Sequence, residues 1–145
     1  MRRALLRHAH DAAEVDGAIA RLKQQGLLDD PAYAARYARS RLQHHGLGRH
    51  RIRQALRQKG VAREAVRHGL AEALAEVPEA DTIDALARRY WETRKRDAPA
   101  TRLPKLFGFL VRRGFPAGLV QERLKALWPR HRDALDDLPA LEPIE

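Results

Sequence analysis

Apolar residues recur every three or four positions along most of the chain, as Ile52 and Leu56 do, and this is the period of an amphipathic helix. No segment alternates with a period of two for long enough to predict a strand. Pro31 marks a helix start, residues 46–48 mark a turn, and Gly60 marks a helix end. The pattern predicts helices over residues 12–25, 31–45, 49–59, 62–75, 81–95, 102–113 and 116–128.

The helical pattern itself repeats. Leu, Gly, Val and Leu of residues 56–70 recur at equivalent positions in residues 110–124, and the same frame placed near the N-terminus leaves a first unit without its opening helix. The predicted fold is all-α, with tandem three-helix repeats stacked into an elongated curved rod and an incomplete first repeat. The predicted divisions are a partial first repeat at 1–29, a second repeat at 30–76, a third at 77–129 and an acidic C-terminal tail at 130–145. A single globular bundle is the alternative.

Charge is strongly asymmetric along the 145 residues, which carry a net charge of +9. Residues 31–70 hold ten Arg and Lys against one acid, whereas residues 131–145 hold five acids against one Arg. A basic body suits a polyanion or an acidic protein surface as the partner. The acidic tail is either an intramolecular competitor for that ligand or simply a solubilising end.

Three arginines form a basic ridge beside the apolar stripe of one predicted helix. Arg49, Arg53 and Arg57 follow one another at four-residue spacing, where like charges repel. That cost favours an anionic ligand, since Arg makes bidentate contacts to carboxylate and phosphate; a solvated basic face is the alternative. The predicted partner- and nucleic-acid-binding residues are Arg36, Arg39, Arg49, Arg53, Arg57, Lys59 and Arg63. The third repeat adds Arg94, Lys95, Arg96, Arg102, Lys105, Arg112 and Arg113 to the positive surface.

The sequence offers little that predicts catalysis or cofactor binding. It contains no Cys, so a thiolate zinc site and a cysteine nucleophile are excluded. Asp29 and Asp30 precede a proline, where carboxylates cap a helix, and no pair among the histidines has the spacing of a helical zinc site. No phosphate-binding loop or nucleophile–base motif is present. We expect a protein that is not an enzyme and holds no cofactor and no metal.

The N-terminus lacks the apolar stretch of a signal peptide, and no apolar run approaches the ~18–20 residues of a membrane helix. The absence of Cys fits a reducing compartment. We therefore expect a monomeric, cytoplasmic protein with no membrane partner.

One stretch resembles a known family. Residues 26–41 (GLLDDPAYAARYARSR) and 46–61 (GLGRHRIRQALRQKGV) are similar to the central segment of the RecX family, bacterial regulators of the RecA recombinase. About 35 residues carry the match, and Leu27 stands where the family has Tyr. The family usually has another helix ahead of the first one here, so the resemblance also implies that repeat one is incomplete.

The resemblance implies a chain of three-helix repeats without a catalytic site. It would bind in the groove of RecA–ssDNA filaments and restrain the ATPase, strand-exchange and co-protease activities of RecA. Weak, non-specific binding to single-stranded or double-stranded DNA is expected as well. The alternative is a non-specific helical DNA-binding module that acts without RecA, which would bind naked DNA as well as it binds filaments.

Overall fold

The computed structural model describes residues 16–18 and 30–138, and every regular element in these residues is helical. The elements are α1 (Asp30–His44), α2 (Arg49–Gln58), α3 (Arg63–Glu76), α4 (Glu79–Thr93), α5 (Pro99–Arg112), α6 (Ala117–Leu127), a 3₁₀ turn (Pro129–His131) and α7 (Arg132–Asp136). The predicted all-α fold with tandem three-helix units is confirmed, as α1–α3 and α4–α6. The predicted partial repeat at 1–29 lies outside the described residues except for residues 16–18, which are helical.

The sequence repeat is visible in how two helices end. Gly60 after α2 and Gly114 after α5 both have positive φ, +83° and +101°. In each case the next residue donates its N–H five positions back, from Val61 to the Leu56 carbonyl and from Phe115 to the Leu110 carbonyl. This is the Schellman arrangement, which glycine adopts without steric cost. The two repeats therefore share the same turn.

The helices pack into two compact units whose limits differ from those of the repeats. Among the described residues, the first unit contains residues 16–18, residues 30–39 and Arg53–Glu76, and we call it the N-unit. The second, the C-unit, contains Ser40–Ile52 and residues 77–138. The limits fall inside α1 and α2, so the α1–α2 corner, Ser40–Ile52, belongs to the repeat at 30–76 by sequence and to the C-unit by packing.

A close backbone contact holds the corner in the C-unit. Gly48 donates its N–H to the Arg113 carbonyl at 2.8 Å, and His50 donates to the Gly114 carbonyl at 3.0 Å. A Cβ added to Gly48 would lie 2.6 Å from the Gly114 carbonyl oxygen and would also meet the backbone N of Phe115. Only glycine fits at position 48, because no heavy side-chain atom can enter this contact.

Arginine side chains reinforce the same junction. Arg51 donates from Nε to the Arg112 carbonyl at 2.7 Å. Arg113 donates in the opposite direction, from Nε to the Gly46 carbonyl at 2.8 Å and from Nη2 to the His45 carbonyl. The carbonyls at two helix ends thus gain charge-assisted partners.

The N-unit is built on small residues. Ala34, Ala35 and Ala38 of α1 are buried, and a Cβ added to Gly69 of α3 would lie 2.5 Å from the Ala34 Cβ. Helices α1 and α3 therefore approach each other closely at Gly69. Other buried apolar residues of the N-unit are Leu56, Val61, Ala65, Val66, Leu70 and Ala73.

The C-unit has a larger apolar core, drawn chiefly from α4, α5 and α6. Its buried residues include Ile83, Ala87, Leu103, Leu106, Phe107, Leu110, Phe115, Val120 and Leu124. The predicted start of α5 differs from the observed one, because Pro99 occupies an early helical position for which its fixed φ is suited.

The segment expected to be an acidic tail, 130–145, begins with ordered helix. Leu135 of α7 is fully buried in the core of the C-unit, and its carbonyl accepts a hydrogen bond from Gln121 Nε2 at 2.7 Å. Lys125 pairs with Asp136. The acidic composition predicts that these residues belong to the tail, whereas the burial of Leu135 shows that α7 packs on the C-unit. Residues 139–145 lie outside the described residues.

Candidate polyanion-binding surface

The two candidate cations of α1 have different surroundings. Arg36 is exposed and makes no ion pair with a described residue. Arg39 is held against α3, with Nε 2.8 Å from Glu76 Oε2 and Nη2 3.3 Å from Glu72 Oε1. Arg36 is thus available to an external anion, whereas the charge of Arg39 is already matched within the N-unit.

Arg49, the first residue of the predicted ridge, is tied to a buried carboxylate. The Glu79 side chain is 1% exposed and accepts from Arg49 Nε, and it also accepts from the Arg49 backbone N–H at 3.3 Å. The carboxylate therefore caps α2 and neutralises the guanidinium at the same time. Burying Glu79 would be costly without such a partner. This differs from the exposed cation that the spacing of the ridge suggests.

The other two ridge residues lie in the N-unit. Ile52 and Leu56 are fully buried, as the stripe predicted, and Arg53 beside them is partly buried. Arg57 is exposed and makes no ion pair with a described residue. The spacing correctly places all three arginines on α2, but the unit limit between Ile52 and Arg53 separates Arg49 from the other two.

Lys59 and Arg63 flank the turn between α2 and α3. Lys59 is exposed, with Nζ 5.6 Å from the centre of the Tyr37 ring, which is a cation–π distance. Arg63 is exposed at the first position of α3 and has no ion-pair partner among the described residues.

The neighbouring acid of α3 is locally paired. Glu64 accepts a hydrogen bond from Arg67 Nη2 at 2.8 Å. That hydrogen bond, then the charge of Arg67 and that of His68, lower the pKa of the Glu64 carboxyl. The acid is thus matched to Arg67 and His68, which leaves Arg63 as a free charge in the first turn of α3.

Arg102 differs from the surface role that its charge suggested. It is 7% exposed, and Nη2 donates to the carbonyls of Lys95 at 3.1 Å and Asp97 at 2.5 Å. Its guanidinium carbon lies 4.1 Å from the centre of the Trp91 ring, which stacks in turn on Trp128. Arg102 therefore holds the α4–α5 loop together through hydrogen bonds from its buried guanidinium.

Unpaired charge thus collects on part of the predicted set. Arg36, Arg57 and Arg63 are exposed, lie in the N-unit and make no ion pair with a described residue. Their guanidinium donors are available to phosphate or carboxylate, the ligands for which Arg has matching geometry. We call these three residues the free arginines.

Among residues 16–18 and 30–138, no group of three or more His, Asp or Glu side chains is arranged to hold a metal ion. Within the same residues, no helix has both the length and the apolar character needed to cross a membrane.

Family models and a solved structure both match this chain, and they agree on one family. The family model described as "RecX, second three-helix domain" matches residues 29–75, and that described as "RecX, third three-helix domain" matches residues 78–124. A crystal structure of a regulatory protein RecX superposes with a TM-score of 0.74 at 27% identity, covering 85% of this chain and 61% of the solved chain.

Relatives named regulatory protein RecX occur in several bacteria. That of Thermobifida fusca is 32% identical over 77% of this chain and 62% of its own length. That of Trichlorobacter lovleyi is 32% identical over 84% of this chain and 80% of its own. The Halorhodospira halophila protein is 38% identical over 81% and 70%, respectively. Since two family models together match residues 29–75 and 78–124, and since relatives of that family are up to 38% identical to it, the chain belongs to the RecX family.

Proposed function

We propose that this chain regulates the RecA recombinase by binding in the groove of RecA–ssDNA filaments, where it restrains ATPase, strand-exchange and co-protease activity. Membership of the family supports RecA as the partner, although the chain spans only 62% of the Thermobifida fusca relative. The observation that carries the proposal is the set of free arginines on the N-unit. A nucleoprotein filament presents a long array of phosphates and carboxylates to such a surface.

The position of Arg63 favours a ligand-binding role. A cation in the first turn of a helix opposes the macrodipole, by ~0.3–1 kcal/mol. The charge of Arg63 therefore does not stabilise α3 through the helix dipole. Contact with an external anion would offset that cost. Arg36 and Arg57 likewise make no ion pair with any residue that the structure describes.

The test is RecA ATPase on single-stranded DNA, measured while this protein is titrated in. Wild-type protein should lower ATP hydrolysis. The triple variant Arg36→Glu, Arg57→Glu and Arg63→Glu should need at least tenfold more protein for half-inhibition. A hydrogen bond to a charged group contributes ~1.5–3 kcal/mol, so loss of even one contact gives that factor. Arg49 is left unchanged, because reversing it would place two carboxylates together.

A matched control carries the same change of charge in the C-unit. Arg96, Lys105 and Arg132 are exposed and make no ion pair with a described residue, so all three can be changed to Glu. This variant should inhibit nearly as well as the wild type. Equal weakening of both triple variants would remove the N-unit surface from the proposal, and failure of the wild type to inhibit would overturn RecA regulation itself.

Binding to naked DNA separates the proposal from the alternative of a module that acts without RecA. We expect much tighter binding to RecA–ssDNA filaments than to the same DNA alone. Contact with about 4–6 phosphates would give a log–log salt slope of about −3 to −4 on single strands, with no sequence preference. Equal affinity for filaments and naked DNA would favour the DNA-binding module.

A further inference from the structure

A cleft of about 720 Å³ lies within the C-unit, between the end of α1, α4 and the C-terminal part of α5. Its volume falls in the range of ~300–1,000 Å³ that ligand clefts occupy. The apolar part of its lining includes buried Leu42, partly buried Leu86, Tyr90 and Phe109, and exposed Ala85. None of the free arginines lines the cleft, so it shares no residue with the surface on which the proposed function rests.

The charged part of the lining is positive. Arg89, Arg94 and Arg113 line the cleft against one acid, Asp81. Arg113 already donates from Nε to the Gly46 carbonyl and from Nη2 to the His45 carbonyl. Arg89 and Arg94 are exposed and make no ion pair with a described residue. Two guanidinium groups beside an apolar lining would complement a carboxylate next to an apolar side chain.

The aromatic residues are arranged in a way that argues against a nucleobase. Tyr90 and Phe109 pack with ring centres 5.2 Å apart, tilted by 32°. The Arg94 guanidinium lies 4.7 Å from the centre of the Tyr90 ring, and that of Arg113 lies 5.4 Å from the Phe109 ring. Each ring already packs on another ring and on a guanidinium. Recognition of single-stranded nucleic acid by stacking needs an aromatic face that is open to a base.

We propose that this cleft docks an acidic peptide segment of a protein partner. A carboxylate of the segment would bind Arg89 and Arg94, and a neighbouring apolar side chain would pack on Leu86. The site adds a protein contact on the C-unit to the polyanion contact of the N-unit. It is independent of which filament or nucleic acid the free arginines bind.

The test uses a short fluorescein-labelled peptide of alternating Glu and Leu and measures its affinity by fluorescence anisotropy. The variant with Arg89→Glu and Arg94→Glu should bind at least tenfold more weakly than the wild type. Its control carries Arg130→Glu and Arg132→Glu, two exposed positions of the C-unit with the same change of charge, and should bind within twofold of the wild type. Equal weakening in both variants would mean that general charge alone governs binding, and would overturn the site.

A second pair of variants tests the cleft without changing charge. Ala85 lines the cleft from an exposed position on α4, so Ala85→Trp should fill it and weaken peptide binding at least tenfold. Ala126→Trp, exposed on α6 and outside the cleft, should leave the affinity unchanged. Retained binding in Ala85→Trp would contradict the proposal even if the charge variants behaved as expected.

Two further probes identify the chemistry of the ligand. A peptide with Gln in place of Glu should bind at least tenfold more weakly, and equal binding would overturn the role of the arginines. An oligothymidylate that displaced the Glu–Leu peptide and was itself sensitive to Ala85→Trp would assign the cleft to nucleic acid instead. RecA ATPase inhibition is measured on the same variants, so that failure of the cleft and failure of the proposed function give different results.

Discussion

Replacing Gly48 by Ala tests whether the α1–α2 corner is held by close backbone packing. The new Cβ would lie 2.6 Å from the Gly114 carbonyl oxygen, with the backbone of Phe115 also in its way. Neither neighbour is the flexible end of a side chain, so the two loops must separate. Separation breaks the hydrogen bonds from Gly48 to Arg113 and from His50 to Gly114, which measure 2.8 and 3.0 Å.

The expected loss follows from these contacts. Each hydrogen bond contributes ~0.5–1.5 kcal/mol net, and overpacking a close contact costs roughly 1–3 kcal/mol. The free energy of unfolding of the C-unit should therefore fall by roughly 2–6 kcal/mol. With a urea dependence of ~1–3 kcal/mol/M, the unfolding midpoint should fall by about 0.7 M or more.

Tryptophan fluorescence isolates the response of the C-unit. The chain contains two tryptophans, Trp91 and Trp128, and both belong to that unit. Their fluorescence in urea follows the C-unit, while circular dichroism follows the helices of both units. The fluorescence midpoint of Gly48→Ala should fall by at least as much as the circular dichroism midpoint.

Gly118→Ala is the matched control. Gly118 lies in the first turn of α6, and a Cβ added there meets nothing within 4 Å. The same substitution should leave stability unchanged or raise it by up to about 1 kcal/mol, because Ala favours helix. If Gly48→Ala unfolds at the same urea concentration as Gly118→Ala, the close approach of the two loops does not constrain the fold.

Three further predictions concern other contacts. Glu79→Ala leaves the half-buried Arg49 without its carboxylate and should lower the fluorescence midpoint by the equivalent of about 1–3 kcal/mol; an unchanged midpoint would remove the structural role of this pair. Gly69→Ala should destabilise the N-unit by roughly 1–3 kcal/mol and lower the circular dichroism midpoint more than the fluorescence midpoint, because its Cβ would press on α1. Arg67→Gln should raise the pKa of the Glu64 carboxyl toward its ordinary value in an NMR titration. A carboxyl whose pKa is lowered by folding stabilises the fold at pH values above its pKa in the unfolded chain. Any difference in the free energy of unfolding between wild type and Arg67→Gln should therefore be largest at neutral pH and disappear as the pH falls through the pKa of Glu64. Identical titration of Glu64 in both proteins would contradict this assignment.

Features with local determinants are predictable from the sequence. The apolar period placed Ile52 and Leu56 in the core, and the repeated glycine predicted equivalent turns at Gly60 and Gly114. These features depend on side chains a few residues apart, which a single helix or turn brings together. The order of the helices, the turns and the repeat could therefore be predicted from the sequence, although the start of α5 at Pro99 was not.

Features that depend on distant partners could not be predicted in this way. Arg49 and Glu79 lie thirty positions apart, and no local period couples them. Spacing alone thus assigned Arg49 to an exposed ridge. The burial of Leu135 could not be predicted either, because acidic residues dominate the composition of the segment around it. The surroundings of Arg49 and of Leu135 depend on tertiary contacts with residues distant in the sequence.

Placement of the corner Ser40–Ile52 in the C-unit bears on how such a chain could be shortened or lengthened. A fragment cut after residue 76 keeps Leu42 and Ile52 but loses the α4–α6 segment that completes their unit, so both apolar side chains should become exposed. A fragment that starts at residue 40 keeps the C-unit whole. The same fragment loses residues 30–39, on which α3 packs at Gly69, so this cut disrupts the N-unit as the cut after residue 76 disrupts the C-unit. Gene fusions and internal duplications should therefore be tolerated best when residues 30–138 stay in one piece.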